Sequence, residues 1–213
     1  VVTFHALGLV RLAHQKEMDK FPAERFDIER MIVKDANQLI AECPQDRNDL
    51  VHYYDADINK ISIVPCGFNP KEFNVIDKTI ARKQLGLSNH ETILLQLGRM
   101  VPRKGIDNVI RSLNKISGGL KNMRLLIVGG ESDTADESLT PEIGRLKKIA
   151  EEENVSGHVT FTGRKRRDVL KYFYAASDIF ITTPWYEPFG ITPLEAMACG
   201  TPVIGANVGG IKY

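Results

Sequence analysis

From about residue 93 to residue 206 the chain alternates short β-branched runs with longer amphipathic stretches. That alternation constrains its fold more than any other feature. The runs 93–97, 124–128, 159–162, 179–183 and 202–206 have the length and apolar composition of buried strands. Between them, 106–117, 141–153 and 167–176 have the length and spacing of helices. Strand and helix in regular succession predict parallel α/β layers, with helices on both faces of a sheet. Ahead of Pro65 the pattern is looser: a strand over 1–4, a helix over 26–36, a strand over 39–41, a helix over 46–54 and a strand over 61–64. The stretch 65–70 carries two prolines and a glycine and reads as a linker. The expectation is therefore two domains, 1–68 and 69–213. The acidic, Ser/Thr-rich loop 130–140 is expected to be mobile.

The most informative segment for function is Glu187-Pro188-Phe189-Gly190-Ile191-Thr192-Pro193-Leu194-Glu195. It follows the strand 179–183 and leads into a helix that Gly200-Thr201-Pro202 ends. Thr192 suits an N-cap, Pro193 the first helical position, and Glu195 the third, together a capping box. A strand–loop–helix junction offers free N–H groups and a helix dipole to an anion. Two carboxylates bracketing that anion suit hydroxyl recognition, so the expected ligand carries phosphate in its middle and hydroxyls on both sides, as a nucleotide sugar does. The plainer alternative is that Glu195 only caps its helix and Glu187 is a solvated loop residue. Arg99 and Lys104 flank a Gly turn after the strand 93–97, where ligands of open α/β sheets bind. There they either neutralise a diphosphate or remain surface cations at a βα turn.

These segments resemble the retaining family-4 glycosyltransferases of GT-B fold, whose motif is Glu, seven residues, Glu, then an Ala-Met-Ala-like helix. Similar matches follow the same order along the chain: Thr3-Phe4-His5-Ala6-Leu7, Val64-Pro65-Cys66-Gly67-Phe68-Asn69, Gly98-Arg99 with Lys104-Gly105, the run 198–204, and Gly209-Gly210. The resemblance implies a chain that is a fragment, with part of an acceptor-side N-terminal domain and most of a nucleotide-sugar-binding C-terminal one. It implies that Arg99, Lys104, Gly98 and the backbone of Gly190, Ile191 and Thr192 surround the donor diphosphate. Glu195 would take the ribose diol, Glu187 with Phe189 and Gly190 the sugar hydroxyls, and His5 would touch the donor sugar at the interdomain cleft. The base would lie near Arg164. Transfer would retain configuration without a metal or cofactor, closest to the sucrose-forming and inositol-glycosylating branches. The donor would be a UDP-sugar and the acceptor a small polar or sugar-phosphate molecule.

Composition narrows the alternatives. A net charge of +1, with 43% hydrophobic and 26% charged residues, implies neither nucleic acid nor an anionic membrane as partner. No apolar run reaches membrane-spanning length, which leaves peripheral membrane contact open. Three cysteines without metal or disulfide spacing point to a reducing, cytoplasmic setting. The basic run Arg164-Lys165-Arg166-Arg167 is either a solvated helix start or a phosphate contact. Arg11 faces either acceptor phosphate or solvent. Asp55-Ala56-Asp57 has metal-binding spacing, but its composition is that of a turn. The stretch Gly129-Gly130-Glu131 lacks the third glycine of a dinucleotide turn, so an NAD enzyme is the weaker competitor. A catalytically degenerate, nucleotide-binding regulatory module is the other.

Overall fold

The structure is a computed structural model of the protein, and it describes residues 1–15, 22–116 and 119–213. It divides into two compact units: unit 1 is Val1–Gly67 with Trp185–Gly190 and Asn207–Tyr213, and unit 2 is Phe68–Pro184 with Ile191–Ala206. The two late segments of unit 1 were expected in the second domain. They group with the first because Tyr186 is buried among Leu7, Val10 and Leu50, and Pro188 O accepts from Cys43 Sγ at 3.3 Å.

Unit 1 is a parallel sheet of β1 (Val2–Thr3), β2 (Leu39–Ala41) and β3 (Ile61–Ile63) in that order, with Thr3 opposite Ile40 and Ala41 opposite Ile63. Its helices are α1 (Gly8–Gln15), α2 (Glu24–Asp35) and α3 (Pro44–Tyr54). Leu7, Val10, Val33, Leu39 and Leu50 form the core. A polar clasp locks α1 to it: the buried Glu29 carboxylate accepts from Gly8 N at 2.8 Å, Arg25 Nε at 2.7 Å and the Tyr54 hydroxyl, and Arg25 also donates to Ala6 O. A buried carboxylate is tolerated when its oxygens are filled in this way.

Unit 2 begins with α4 (Lys78–Leu85), and its sheet comprises β4 (Thr92–Leu97), β5 (Met123–Val128), β6 (Val159–Gly163), β7 (Ile179–Thr182) and β8 (Val203–Gly205). All pairings are parallel and the order is β6-β5-β4-β7-β8, so the winding reverses between β4 and β7. On one face, α5 (Ile106–Leu113) and α6 (Pro141–Glu152) bury Val109, Ile110 and Leu146 against Leu94, Leu125 and Ile127. On the other, α7 (Arg167–Ala176) and α8 (Ile191–Ala198) bury Tyr174 and Ala196 against Ile93, Leu95 and Phe180. Phe73, Tyr174 and Phe180 meet edge to face, with centroids 5.9 and 5.7 Å apart. That geometry favours aromatic pairs beyond their buried area. The expected helix 106–117 stops at Leu113, and Ser117 lies outside the described residues.

Candidate functional site

In a doubly wound sheet the ligand crevice lies beyond the carboxyl ends of the strands at the reversal, here β4 and β7. The turn after β4 closes onto the end of β7: Thr183 Oγ1 donates to Gly105 O at 2.6 Å. Gly105 has φ +60, and a Cβ there would stand 2.0 Å from Thr183 O, so only glycine fits. A cavity of about 180 Å³ opens along this edge, lined by Gly98, Arg99, Glu131, Arg164 and Lys165 among others. Three residues picked from sequence, Gly98, Arg99 and Arg164, are thus brought together. Lys104 is close by, its Cε 4.0 Å from where a Gly98 Cβ would stand.

Glu131 was not foreseen in this cavity, and Lys165 was read only within the basic run 164–167. Glu131 arrives in the loop 130–140, and Arg164 and Lys165, just after β6, are tied to that loop by hydrogen bonds. Glu131 N donates to Thr140 Oγ1, Arg164 N to Ser132 O, and Lys165 Nζ to Asp133 O. α6 begins only at Pro141, so the glycines do not open a helix directly as those of a dinucleotide turn do. The basic run resolves residue by residue. Arg164 lines the cavity, Arg166 pairs with its neighbour Asp168, and Arg167 turns toward Glu72 and Glu195.

Glu195 departs from the capping box. Helix α8 begins at Ile191, which puts Thr192 and Pro193 inside its first turn rather than at N-cap and first position. The Glu195 carboxylate points away from that turn. One oxygen accepts from the Tyr174 hydroxyl at 2.8 Å, and the other pairs with Arg167 Nη1 at 3.2 Å. Arg167 also bonds Glu72 at 2.7 Å and lies 4.9 Å over the Phe73 ring. Burial raises the Glu195 carboxyl above its ordinary value, only partly offset by Tyr174 and Arg167. The plain cap reading therefore fails, yet Glu195 is only 3% exposed.

The other half of the motif lies in unit 1, since the division falls between Gly190 and Ile191. Gly210 N donates to Glu187 O and Pro188 O, and Gly209 comes so near Glu187 O that a Cβ would stand 1.6 Å away. Gly209-Gly210 thus fixes the backbone of Glu187, Pro188 and Phe189. A cavity of roughly 200 Å³ in the same unit is walled by His14, Gln45, Trp185, Tyr186 and Lys212 among others. His14 stacks on Tyr186 at 4.8 Å, and Trp185 is 62% exposed. None of these five was picked from sequence.

His5 follows β1 and pairs through Nδ1 with the buried Glu42. Cys66 Sγ donates to the same Glu42 oxygen at 3.1 Å, and Glu42 N donates to Asp46 at 2.8 Å. Burial, and then the bond to Glu42, pushes the Cys66 thiol up to about 12. Burial likewise raises Asp46 to about 6. Asp55 and Asp57 serve local structure. Asp55 ends α3 in the left-handed region, and Asp57 accepts from Asn59 N. Arg11 is half-buried on α1. Among the described residues no helix is long and apolar enough to cross a membrane.

A family model for glycosyl transferases group 1 matches residues 77–213. The D-inositol 3-phosphate glycosyltransferase of Rhodococcus opacus is 34% identical over 99% of this chain and 47% of its own length. That of Acidothermus cellulolyticus is 35% identical, with the same coverage. The chain thus spans about half the length of the curated relatives it matches. Among solved structures, sucrose-phosphate synthase from Thermosynechococcus elongatus superposes with a TM-score of 0.83 at 34% identity, over 99% of this chain and 50% of that one. Anabaena HepE, solved with UDP and glucose, gives 0.79 at 20% identity, over 99% and 53%, a likeness of fold alone.

Proposed function

The chain belongs to the glycosyl transferases of group 1, with the α/β architecture of GT-B enzymes, and from that premise we propose that the protein moves a sugar from a UDP-sugar to a hydroxyl of a small polar or phosphorylated acceptor. The observation that carries this reading is the gathering of Gly98, Arg99 and Arg164 at the carboxyl edge of the sheet, beside the reversal of strand order.

In this reading residues 69–213 are the donor side and residues 1–68 the acceptor side, with 185–190 and 207–213 grouped with the latter. Arg99, Lys104 and the start of α8 at Ile191 and Thr192 hold the diphosphate, and the base sits near Arg164. Glu195 takes the ribose diol. An ionised carboxylate has about four acceptor positions, and Tyr174 and Arg167 fill two. With so little of Glu195 exposed, the diol meets it only where Arg167, whose side chain is 59% exposed, swings aside. Glu187, Phe189, Gly190 and His5 keep the sugar contacts that the resemblance assigns them.

Transfer is proposed to retain configuration and to need no metal. Negative charge grows on the departing diphosphate, and Arg99 and Lys104 stabilise it there, where stabilisation counts most. A phosphate oxygen of the donor assists the acceptor's deprotonation. For the acceptor, the unit 1 cavity offers aromatic faces at Trp185, His14 and Tyr186 and a cation at Lys212, which suit a hydroxylated, phosphorylated molecule. Three free cysteines fit a cytoplasmic setting.

The test is a panel of UDP-, GDP- and ADP-sugars, and NAD, titrated against and turned over by the full-length protein in excess chelator. Transfer from a UDP-sugar with a retained anomeric centre is the expected result. Binding without turnover selects the degenerate module, and NAD binding the dehydrogenase. An inverted product or strict metal dependence contradicts the mechanism.

A further inference from the structure

His5, Glu42 and Cys66 lie 37 and 24 positions apart in sequence, with no ligand spacing to link them. The sheet of unit 1 joins them. β1, β2 and β3 are parallel neighbours in register, and each of the three residues comes one to three positions after the last residue of one strand: Thr3, Ala41 and Ile63. All three side chains therefore emerge at one carboxyl edge, where parallel sheets bind their ligands. His5 Nδ1, a Glu42 oxygen and Cys66 Sγ lie within 4.8 Å of one another.

From this juxtaposition we infer that His5, Glu42 and Cys66 form a binding site for Zn²⁺. Zinc sits about 2.0–2.3 Å from such ligands, so tetrahedral ligands stand roughly 3.3–3.8 Å apart. His5 and Cys66 each stand closer to Glu42 than that, Cys66 at 3.1 Å, and no two of the three donor atoms are more than 4.8 Å apart. Binding therefore spreads the two hydrogen-bonded pairs to tetrahedral spacing as the ion replaces the protons between them. One imidazole, one carboxylate and one thiolate suit Zn²⁺, whereas Mg²⁺ and Ca²⁺ prefer oxygen alone. Glu42 is 4% exposed and anchored through its own amide to Asp46, so it forms the fixed floor. The His5 side chain is 71% exposed and leaves the fourth position open to solvent. Binding forms a zinc–sulfur bond as the Cys66 thiol proton leaves to solvent. Asp55 and Asp57, which carry the spacing that suggests a metal, contribute nothing to this site.

The reduced full-length protein, freed of metal and desalted, would be titrated with Co²⁺ as an optical stand-in while circular dichroism follows the fold. The expected result is one saturable equivalent with a thiolate-to-cobalt band in the near ultraviolet, displaced by Zn²⁺ and not by Mg²⁺ or Ca²⁺. Cys66→Ser should lose the band, while Cys43→Ser and Cys199→Ser keep it. His5→Asn, an exposed change that spares the core, should weaken Co²⁺ binding by more than the ~10–100-fold typical of outer-shell substitutions. The absence of a saturable band, its survival in Cys66→Ser, or an unchanged affinity in His5→Asn overturns the site.

Discussion

The Tyr174 hydroxyl donates to Glu195 at 2.8 Å, joining the last turn of α7 to α8 beneath the motif. Tyr174 is fully buried, between Phe73 and Phe180. Phenylalanine can fill that place, so Tyr174→Phe should fold and bind core partners as before while Glu195 loses a buried donor. The expected cost is about 1–3 kcal/mol, read by thermal or denaturant unfolding. In the proposed site the freed oxygen also loses its aim, so donor affinity should fall alongside. Glu195→Gln should weaken donor binding by roughly 10–100-fold, the worth of about 1.5–3 kcal/mol for hydroxyls on a charged acceptor. If UDP-sugar titration shows no change in Glu195→Gln, Glu195 is a structural clasp between two helices and nothing more.

A second charged network supports unit 2 from the side of α4. Arg82, 4% exposed, donates to Ala176 O, Ser88 O and Asn89 O and pairs with Asp178 at 2.7 Å. Asp178 also accepts from Ile93 N and Lys78. Arg82→Leu would take this donor from three carbonyls and leave Asp178 with two of its three partners. We expect a loss of about 3 kcal/mol, the low end for a buried pair because Asp178 is partly exposed, or roughly 6–12 °C in Tm.

The same network sets an acid limit. Partial burial pushes the Asp178 carboxyl up, but the bonds from Lys78 and Ile93 and the nearby cations outweigh it and hold it below its ordinary 3.8. A lowered carboxyl stabilises the fold fully above that ordinary value, and the contribution is lost as pH falls through the folded value. Unfolding free energy should therefore drop below about pH 4 in the wild type. It should drop less steeply in Asp178→Asn, which has no such proton to gain. Equal slopes would remove Asp178 from the account of acid stability.

Most of the sheet of unit 2 was legible because its strands are continuous apolar runs between Gly and Pro breaks. β4 to β8 each fall within a residue or two of expectation. Strand order was not legible, since pairing depends on which helix crosses which face. α4 went unread although Asp77 caps it and Gly86 ends it, because only four of its eight residues are apolar or small, too few for a clear stripe. At the site, glycines and cations near a strand end could be read in order. Three things could not. Tyr174 looks like any core aromatic, Glu42 has no motif, and Trp185 with His14 meet only through the fold.

Arg99→Ala and Lys104→Ala test the diphosphate reading. The charge they offset is larger in the transition state than in the bound donor, so kcat should fall by more than the acceptor KM rises. Removing one such stabilising cation should cost about 10²–10³ in kcat, the range known for single oxyanion donors. Arg99→Ala should retain the wild-type Tm to within about two degrees, since Arg99 is exposed in the loop after β4. A rise in donor KM with kcat intact would show that the pair binds ground state and transition state alike.

Trp185 tests the acceptor side. It is exposed beside the stacked pair His14 and Tyr186, and Lys212 lines the same cavity. An aromatic face against the apolar side of a sugar-like ring is a contact made on binding and kept through the reaction, so its loss should act uniformly. Trp185→Ala should therefore raise the acceptor KM by roughly 5–30-fold, about 1–2 kcal/mol, and leave kcat and the donor affinity close to wild type. Lys212→Ala should discriminate further, weakening a phosphorylated acceptor far more than its dephosphorylated counterpart. Initial-rate kinetics with both acceptors at saturating donor would measure this. A fall in donor affinity in Trp185→Ala, with acceptor KM unchanged, would move the residue to the donor side and leave the cavity without an assigned occupant.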